Sequence, residues 1–361
     1  MGEQDLRERI AAVVGGLAAA DGITWPAWWH RLSQLPPRRE VRLGEAWTHA
    51  RAGHTSSLPT PYLQSSSPAL VDPAGPTDDL EWFVVAVRHH LGQRLDGSAS
   101  EQSYAVWKEL AHQRAADTDQ VRGRIGTVMA LENLAAGLTP PATGNDTPHY
   151  FDDIACVRGV AAGLLSPGHP DGAATLAARD AEVTHALDGV WASRATAALV
   201  AGLVGGVERD AAIDRARAEL PVDSWCAAVV AECLAVAESL AVSEAGVGPL
   251  ALAARLEREA VDHVYGYANQ APETLGLLLA HLRTARDGSE LLLGALAHPR
   301  HADALVPLAG AVAGAVFGDV GFPEPPPELA GVCVRALAGT MRDAIVAGLV
   351  GAATRRAEVR A

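Results

Sequence analysis

The sequence predicts an all-α fold, and three observations carry that reading. Apolar residues make up 49% of the 361-residue chain, enough to build a large core. Aromatics are only 5%, and Ala, Leu and Val supply most of the apolar content. Apolar residues recur at helical spacing through most of the chain, while the period-two alternation of strands is rare.

Taken in order, residues 5–19 read as an amphipathic helix with Ile10, Val13, Val14 and Leu17 on one side. Residues 33–76 are rich in Pro, Ser, Thr and Gly and read as an irregular segment, of the kind that tends to be functional when it lies inside a compact domain. In "GPTDDLEWFVVAVRHHL" the positions Leu80, Phe83, Val84, Val87 and Leu91 predict a helix over 77–95, entered through Thr77, Asp78 and Asp79. Further helices are predicted over 101–116, 122–137, 153–165, 171–187, 189–206, 208–218, 222–241, 247–264, 271–285, 288–297, 302–317 and 329–355. Pro- and Gly-bearing stretches such as "TPPATG", "SPGHPDG" and "GFPEPPP" punctuate them. No linker separates two cores and no fixed-period repeat occurs, so residues 1–361 are expected to form a single domain.

The formal charge of −14 argues against nucleic acid or an anionic membrane as the main partner and suits a cationic ligand. Cys156, Cys226, Cys233 and Cys333 lack CxxC spacing and sit in apolar surroundings, as expected of a chain in the reducing cytoplasm. "LVPLAGAVAGAVFG" falls short of the roughly 18–20 residues of a membrane span.

Four stretches put chemistry-bearing residues at predicted helix starts. They are Thr77-Asp78-Asp79, Asp152-Asp153, His185, and His301 with Asp303. Taken alone, the acids read more readily as helix caps, because acids in a first turn complement the helix dipole, and a lone His185 reads as a core or surface residue.

Their order resembles the ADP-ribosylglycohydrolase family. That family's opening "GDALGWPxE" is echoed by "ADGITWPAW", its "TDDT" by Thr77-Asp78-Asp79-Leu80, and its glycine-rich loop ending in "MR" by "HYFDDIACVR". Its "THxxxG" corresponds to Thr184-His185 through Gly189, and its "GGDTDTIAAIAGALAGA" to "PRHADALVPLAGAVAGA". The resemblance implies an all-α orthogonal multi-helix bundle with a two-Mg²⁺ site that holds ribose hydroxyls for hydrolysis at the anomeric carbon.

Several positions depart from that pattern. Trp28 replaces an acid, His301 replaces an Asp and Ala304 replaces a Thr, while Thr77, Asp78, Asp79 and Asp303 remain. An unaltered two-Mg²⁺ site is therefore not expected. One divalent cation, Mg²⁺ on oxygen ligands or a transition metal using His301, is one expectation, and no metal is the other. Catalysis is assigned to Asp78, Asp79, Asp303 and His301, with His185 or His30 as alternative acids.

The ligand is expected to meet His149, Tyr150, Phe151, Asp152, Asp153, His185, Trp28 and His30. It would be a small ribosyl or nucleoside-like molecule, because a bulky acidic loop should receive a pyrophosphate poorly. Trp25, Trp28 and Trp29 would either stack on a ring or close the core. The activity expected is hydrolysis of an N-glycosidic bond with altered specificity; the alternative is a non-catalytic nucleotide-binding sensor or interaction protein. Carboxylates about 4 Å apart repel by roughly 4 kcal/mol at an effective dielectric near 20, so such a cluster must find a cation or hold protons.

Overall fold

A computed structural model describes residues 2–33, 78–243, 248–262, 269–298, 300–318 and 327–360, with side chains described to Thr24 in the first segment and to Leu240 in the second. These residues form fifteen α-helices, and among them β-pairing is limited to four isolated bridges. The helices are α1 (Glu3–Ser33), α2 (Asp78–His90), α3 (Ala105–Ala116), α4 (Ile125–Ala135), α5 (Ala142–Asn145), α6 (Ile154–Leu164), α7 (Pro170–Ala181) and α8 (Leu187–Val204). They continue as α9 (Arg209–Arg217), α10 (Trp225–Ser243), α11 (Pro249–Glu259), α12 (Ala271–Thr284), α13 (Gly288–Leu296), α14 (Ala302–Phe317) and α15 (Arg342–Arg360).

Local chemistry explains several helix starts. Pro stands in the first turn of α7, α11 and α12, where its missing N–H costs no hydrogen bond. Asp287 caps α13 by accepting the Glu290 N–H at 2.8 Å. At the start of α6, Asp152, one residue before the N-cap Asp153, accepts the Ile154 N–H at 2.9 Å.

Small residues set how closely the helices approach. α1 lies along α14, and a Cβ on Gly16 would stand 2.2 Å from the Gly310 carbonyl oxygen. A Cβ on Gly314 would stand 2.2 Å from the Ala12 oxygen. α6 meets α8 in the same way, with Gly159 against Ser193 and Gly163 against Val200. α8 is the one described helix long and apolar enough to cross a membrane, and 83% of it is buried in the fold, so its apolarity is that of a core helix. The four cysteines are buried and unpaired.

Two elements differ most from the sequence expectation. The first helix runs to Ser33 rather than ending near 19, because Ala18, Ala19, Ala20 and Thr24 continue its buried face beyond Leu17. The expected helix over 329–355 is instead a turn-rich segment, a 3₁₀ turn at Arg335–Leu337, and α15. Gly331 and Gly339 take φ of 126° and 79°, conformations a helix cannot contain. The buried Glu81 carboxylate of α2 fixes that segment by accepting backbone N–H bonds from Gly331, Val332, Cys333 and Val334 at 2.6–3.1 Å. Residues 34–76, expected to be irregular, lie outside the described residues.

The α1–α14 contact gives a stability prediction. Gly310→Val places side-chain atoms against the Gly16 carbonyl and should destabilise the fold by about 3 kcal/mol in urea unfolding. Gly2→Val, where a Cβ meets nothing within 4 Å, should change stability by less than about 0.5 kcal/mol. Equal stabilities for the two variants would contradict the close approach.

Candidate functional site

Three helices begin with acids, and the fold turns those three beginnings toward one point. Asp78 and Asp79 lie in the first turn of α2, Asp303 lies in the first turn of α14, and Asp152 and Asp153 lead into α6. Asp79, Asp152 and Asp153 are fully buried, and Asp78 and Asp303 are nearly so. Carboxylate oxygens of Asp78, Asp79 and Asp303 lie within 4.8 Å of one another, a set that could hold a metal ion.

At the centre stands the Arg124 side chain, only 7% exposed. Its Nη2 donates to Asp79 Oδ1 at 2.8 Å and to Asp303 Oδ2 at 3.2 Å. Its Nε donates to Asp78 Oδ2 at 3.4 Å. Its Nη1 donates to Asp152 Oδ1 at 3.3 Å and to Asp153 Oδ1. One guanidinium thus bonds five carboxylates from three separate stretches of chain. Arg124 itself immediately precedes α4, so a fourth helix N-terminus adds its partial positive charge nearby.

The other oxygens of the loop acids are tied down as well. Asp152 Oδ2 accepts from Asn269 Nδ2 at 2.9 Å, and Asp153 Oδ2 accepts from the Thr274 hydroxyl at 2.7 Å. The loop backbone joins the 269–271 segment through Asp153 N–H to Asn269 O and Ala271 N–H to Phe151 O, both at 2.9 Å.

Burial disfavours charge here, and neighbouring acids add to it. Asp79 is pushed well above the usual carboxylate range by burial, with Arg124 opposing and Asp78, Asp303 and Asp21 reinforcing the rise. Asp152 is pushed up to about 7 by burial, against the pull of Arg124 and with a further rise from Asp153. Burial works against the charge of Arg124, but Asp79, Asp153, Asp152 and Asp303 outweigh it and hold its pKa above that of an ordinary arginine. Asp21, buried in α1, is the sixth acid whose field reaches the group.

The remaining candidates fall elsewhere. His301 does not join the carboxylates: its Nε2 lies 2.6 Å from Glu273 Oε2. The reason is local, because residues two apart on a helix do not share a face, and His301 stands two before Asp303. It neighbours a second buried group in which His281 and His298 meet Nε2 to Nε2 at 2.8 Å and His298 Nδ1 lies 2.7 Å from Glu257. His185 is fully buried with Nδ1 2.6 Å from the Thr184 hydroxyl, and burial, helped by Arg158, pushes its pKa far down. That leaves it neutral and ill suited to donate a proton as an imidazolium.

His149, Tyr150 and Phe151 are half-buried and pack ring against ring, with Phe151 edge-on to the part-exposed Trp225 at 5.6 Å. Thr77 and the side chains of Trp25, Trp28, Trp29 and His30 lie outside the described residues. Sequence reasoning missed Arg124 and Trp225. The crowding of acids demanded a cation, yet nothing in "VRGRIG" marks the second Arg among 29 Lys and Arg residues as the one that answers it.

Comparison with known proteins places this chain in a family. A family model described as ADP-ribosylglycohydrolase matches residues 2–355. A solved structure titled "ADP-ribosylglycohydrolase-related protein complex" aligns with a TM-score of 0.53 at 19% identity, covering 97% of this chain and 99% of that one. At that identity the likeness speaks for the fold alone. No curated protein matches the chain significantly.

The raised pKa of Asp152 sets a pH dependence. A folded-state pKa near 7, against an ordinary 3.8, means the folded state favours the protonated acid. Its contribution is complete below about pH 4 and is lost as pH rises through about 7. Between about pH 4 and pH 7 the unfolding free energy should therefore fall, by up to about 1.4 kcal/mol per pH unit for one proton, and level off above about pH 8. Asp152→Asn, which cannot titrate, should show a smaller fall in urea titrations. Identical slopes in the two proteins would contradict the assignment.

Proposed function

The chain belongs to the ADP-ribosylglycohydrolase family, and from that premise we propose that it hydrolyses an N-glycosidic bond of a ribosyl compound at the Asp78–Asp79–Asp303 group. The convergence of those three carboxylates from α2 and α14 is the observation that carries the reading. Cleavage at an anomeric carbon builds positive charge on the ring, and a fixed anionic wall favours that charge more than it favours the neutral ground state. Asp303 and Asp78, the more exposed of the three, are positioned to orient water and accept its proton. Asp79, its pKa raised well above the usual carboxylate range by burial, is the acid of the three best suited to hold a proton.

The two-Mg²⁺ pair implied by the family resemblance does not fit the residues present. Arg124 already donates to all three carboxylates, His301 is bonded to Glu273, and Ala304 offers no oxygen from its side chain. In this reading proton transfer and charge stabilisation are assigned to the protein groups.

The ligand in this reading is a small ribosyl or nucleoside-like compound rather than ADP-ribose. An outward acidic wall is not the obstacle to a pyrophosphate, because Asp152 and Asp153 face Arg124 and do not project outward. The obstacle is that the backbone N–H groups that could cradle a phosphate are spent internally. Asp152 N–H bonds His149 O, Asp153 N–H bonds Asn269 O, and Ile154 N–H bonds Asp152 Oδ1. A pyrophosphate would forgo those contacts, each worth about 1.5–3 kcal/mol to a charged acceptor. The rings of His149, Tyr150, Phe151 and Trp225 could pack against a base or an aglycone.

Among the described residues, the largest buried apolar cluster reaches from Leu6 to Ala353, which supports reading 1–361 as one domain. A net charge of −14 supports a small-molecule partner over nucleic acid or an anionic membrane, and the free cysteines suit a cytoplasmic setting.

The second reading, a non-catalytic binding protein, is favoured by one observation: Arg124 occupies the oxygens that would have to act on water. A panel of ribosyl compounds separates the two. Wild type should release free ribose from a nucleoside with a cationic aglycone, and Asp303→Asn should lower kcat by about 10²–10⁴-fold while leaving KM within a few-fold. ADP-ribose should bind more weakly than the corresponding nucleoside. Binding without turnover across the panel, unchanged by Asp303→Asn, would instead establish the binding protein.

A further inference from the structure

We propose that Arg124 is the resident cation of this pocket. Its guanidinium stands on the oxygens that a divalent ion would need, and removing it turns the pocket into a site for one divalent cation.

One oxygen of each candidate ligand is already taken. The three residues whose oxygens lie close enough to share an ion are Asp78, Asp79 and Asp303. Arg124 bonds an oxygen of each, through Nε to Asp78 and through Nη2 to both Asp79 and Asp303. A guanidinium and a metal ion cannot both fill that space, and their charges repel.

The placement of Arg124 is built rather than incidental. On its N-terminal side, Arg122 N–H bonds Cys333 O at 2.8 Å and Val121 bridges to Val334. Gly123 sits where a Cβ would lie 3.0 Å from the Trp82 ring. On its C-terminal side, Gly126 presses against the His149 backbone, where a Cβ would lie 2.7 Å from the carbonyl oxygen. The backbone on both sides is wedged, so the side chain enters the pocket from a fixed point. Two further bonds, to Asp152 and Asp153, hold the far nitrogen.

What remains after its removal is also favourable to a metal. Asp79 Oδ2 is fully buried and receives no hydrogen bond, so Asp79 can offer an unengaged oxygen. Asp152 and Asp153 keep the Asn269, Ile154 and Thr274 donors and need not reorganise. The donors around the vacated space are carboxylate oxygens, the ligand type of Mg²⁺ and Mn²⁺. Carboxylates crowded without a cation are costly, which gives such an ion a large electrostatic reward.

Cation binding can be measured apart from turnover, so the role of Arg124 stands or falls independently of the hydrolase reading. Mn²⁺ alone is titrated into the full chain, followed by calorimetry and by the electron paramagnetic resonance signal of free Mn²⁺. Wild type should show no stoichiometric site. Arg124→Ala should bind one Mn²⁺ per chain at least about a hundred-fold more tightly than wild type, as the loss of a positive charge at contact distance requires. Adding Asp303→Asn to that variant should reverse most of the gain. If Arg124→Ala does not fold, Arg124→Gln retains bulk and two N–H donors, and Mn²⁺ should raise its melting temperature but not that of wild type. One or more Mn²⁺ per chain bound by wild type as tightly as by the variant would overturn the proposal. So would a folded Arg124 variant with neither a site nor a Mn²⁺-dependent stabilisation.

Discussion

Five carboxylates share one buried guanidinium, and the convergence of α2, α6 and α14 depends on that sharing. Without a central cation, acids near 4 Å apart would repel by roughly 4 kcal/mol per pair at an effective dielectric near 20. The same helix starts that bring the acids together also moderate the cost. Each N-terminus contributes a partial positive charge worth about 0.3–1 kcal/mol to a nearby anion, more when partly buried. Those contributions are too small to balance the repulsion alone. The guanidinium supplies most of the attraction, and its planar fork suits it to several oxygens at once in a way a lysine ammonium would not.

The scaffold behind the cluster works at backbone distance. Gly16, Gly310 and Gly314 let α1 and α14 touch main chain to main chain, and Asp21 of α1 lies close enough to the start of α2 to raise the pKa of Asp79. Glu81, one turn into α2, is buried under the N–H groups of residues 331–334 and so anchors the helix that presents Asp78 and Asp79. The cysteine carbonyl of that same segment receives the Arg122 N–H, two residues before the guanidinium. One short stretch, 331–334, thereby sets the position of both the acids of α2 and the cation that meets them.

Much of this was legible in the sequence, and the parts that were not have physical reasons. Helical periodicity marked most helices because they bury one face, and motif order brought Asp78, Asp79 and Asp303 together despite their separation. The split of 329–355 escaped notice because apolar spacing continues through Gly331 and Gly339, whose backbone conformations only the fold reveals. His301 read as a ligand from its place in a motif, but its neighbour Glu273 lies on another helix and is invisible to local pattern. Asp152 and Asp153 read as part of a bulky acidic loop that meets the ligand, because sequence gives no side-chain direction for a loop. Arg124 carried no local signal; only the charge balance of the assembled cluster singles it out.

That balance also bears on what the pocket can accept. One guanidinium does not neutralise five carboxylates, and burial, reinforced by the neighbouring acids, raises the pKa of Asp79 and Asp152 and so favours their protonated forms. The site therefore stays poised between two ways of reducing negative charge, binding protons or admitting positive charge. An anionic pyrophosphate worsens the imbalance and finds the nearby N–H groups already bonded. A ring that becomes cationic as its glycosidic bond breaks relieves it, and does so most at the transition state, where the relief accelerates reaction instead of merely tightening binding. Arg124 acts against that gain, since every bond it makes to Asp78, Asp79 or Asp303 lowers the field felt by a ligand. The same side chain that lets the acids fold into one place thus limits how strongly they can act, and the electrostatic strength of the site follows from how far its guanidinium can give way.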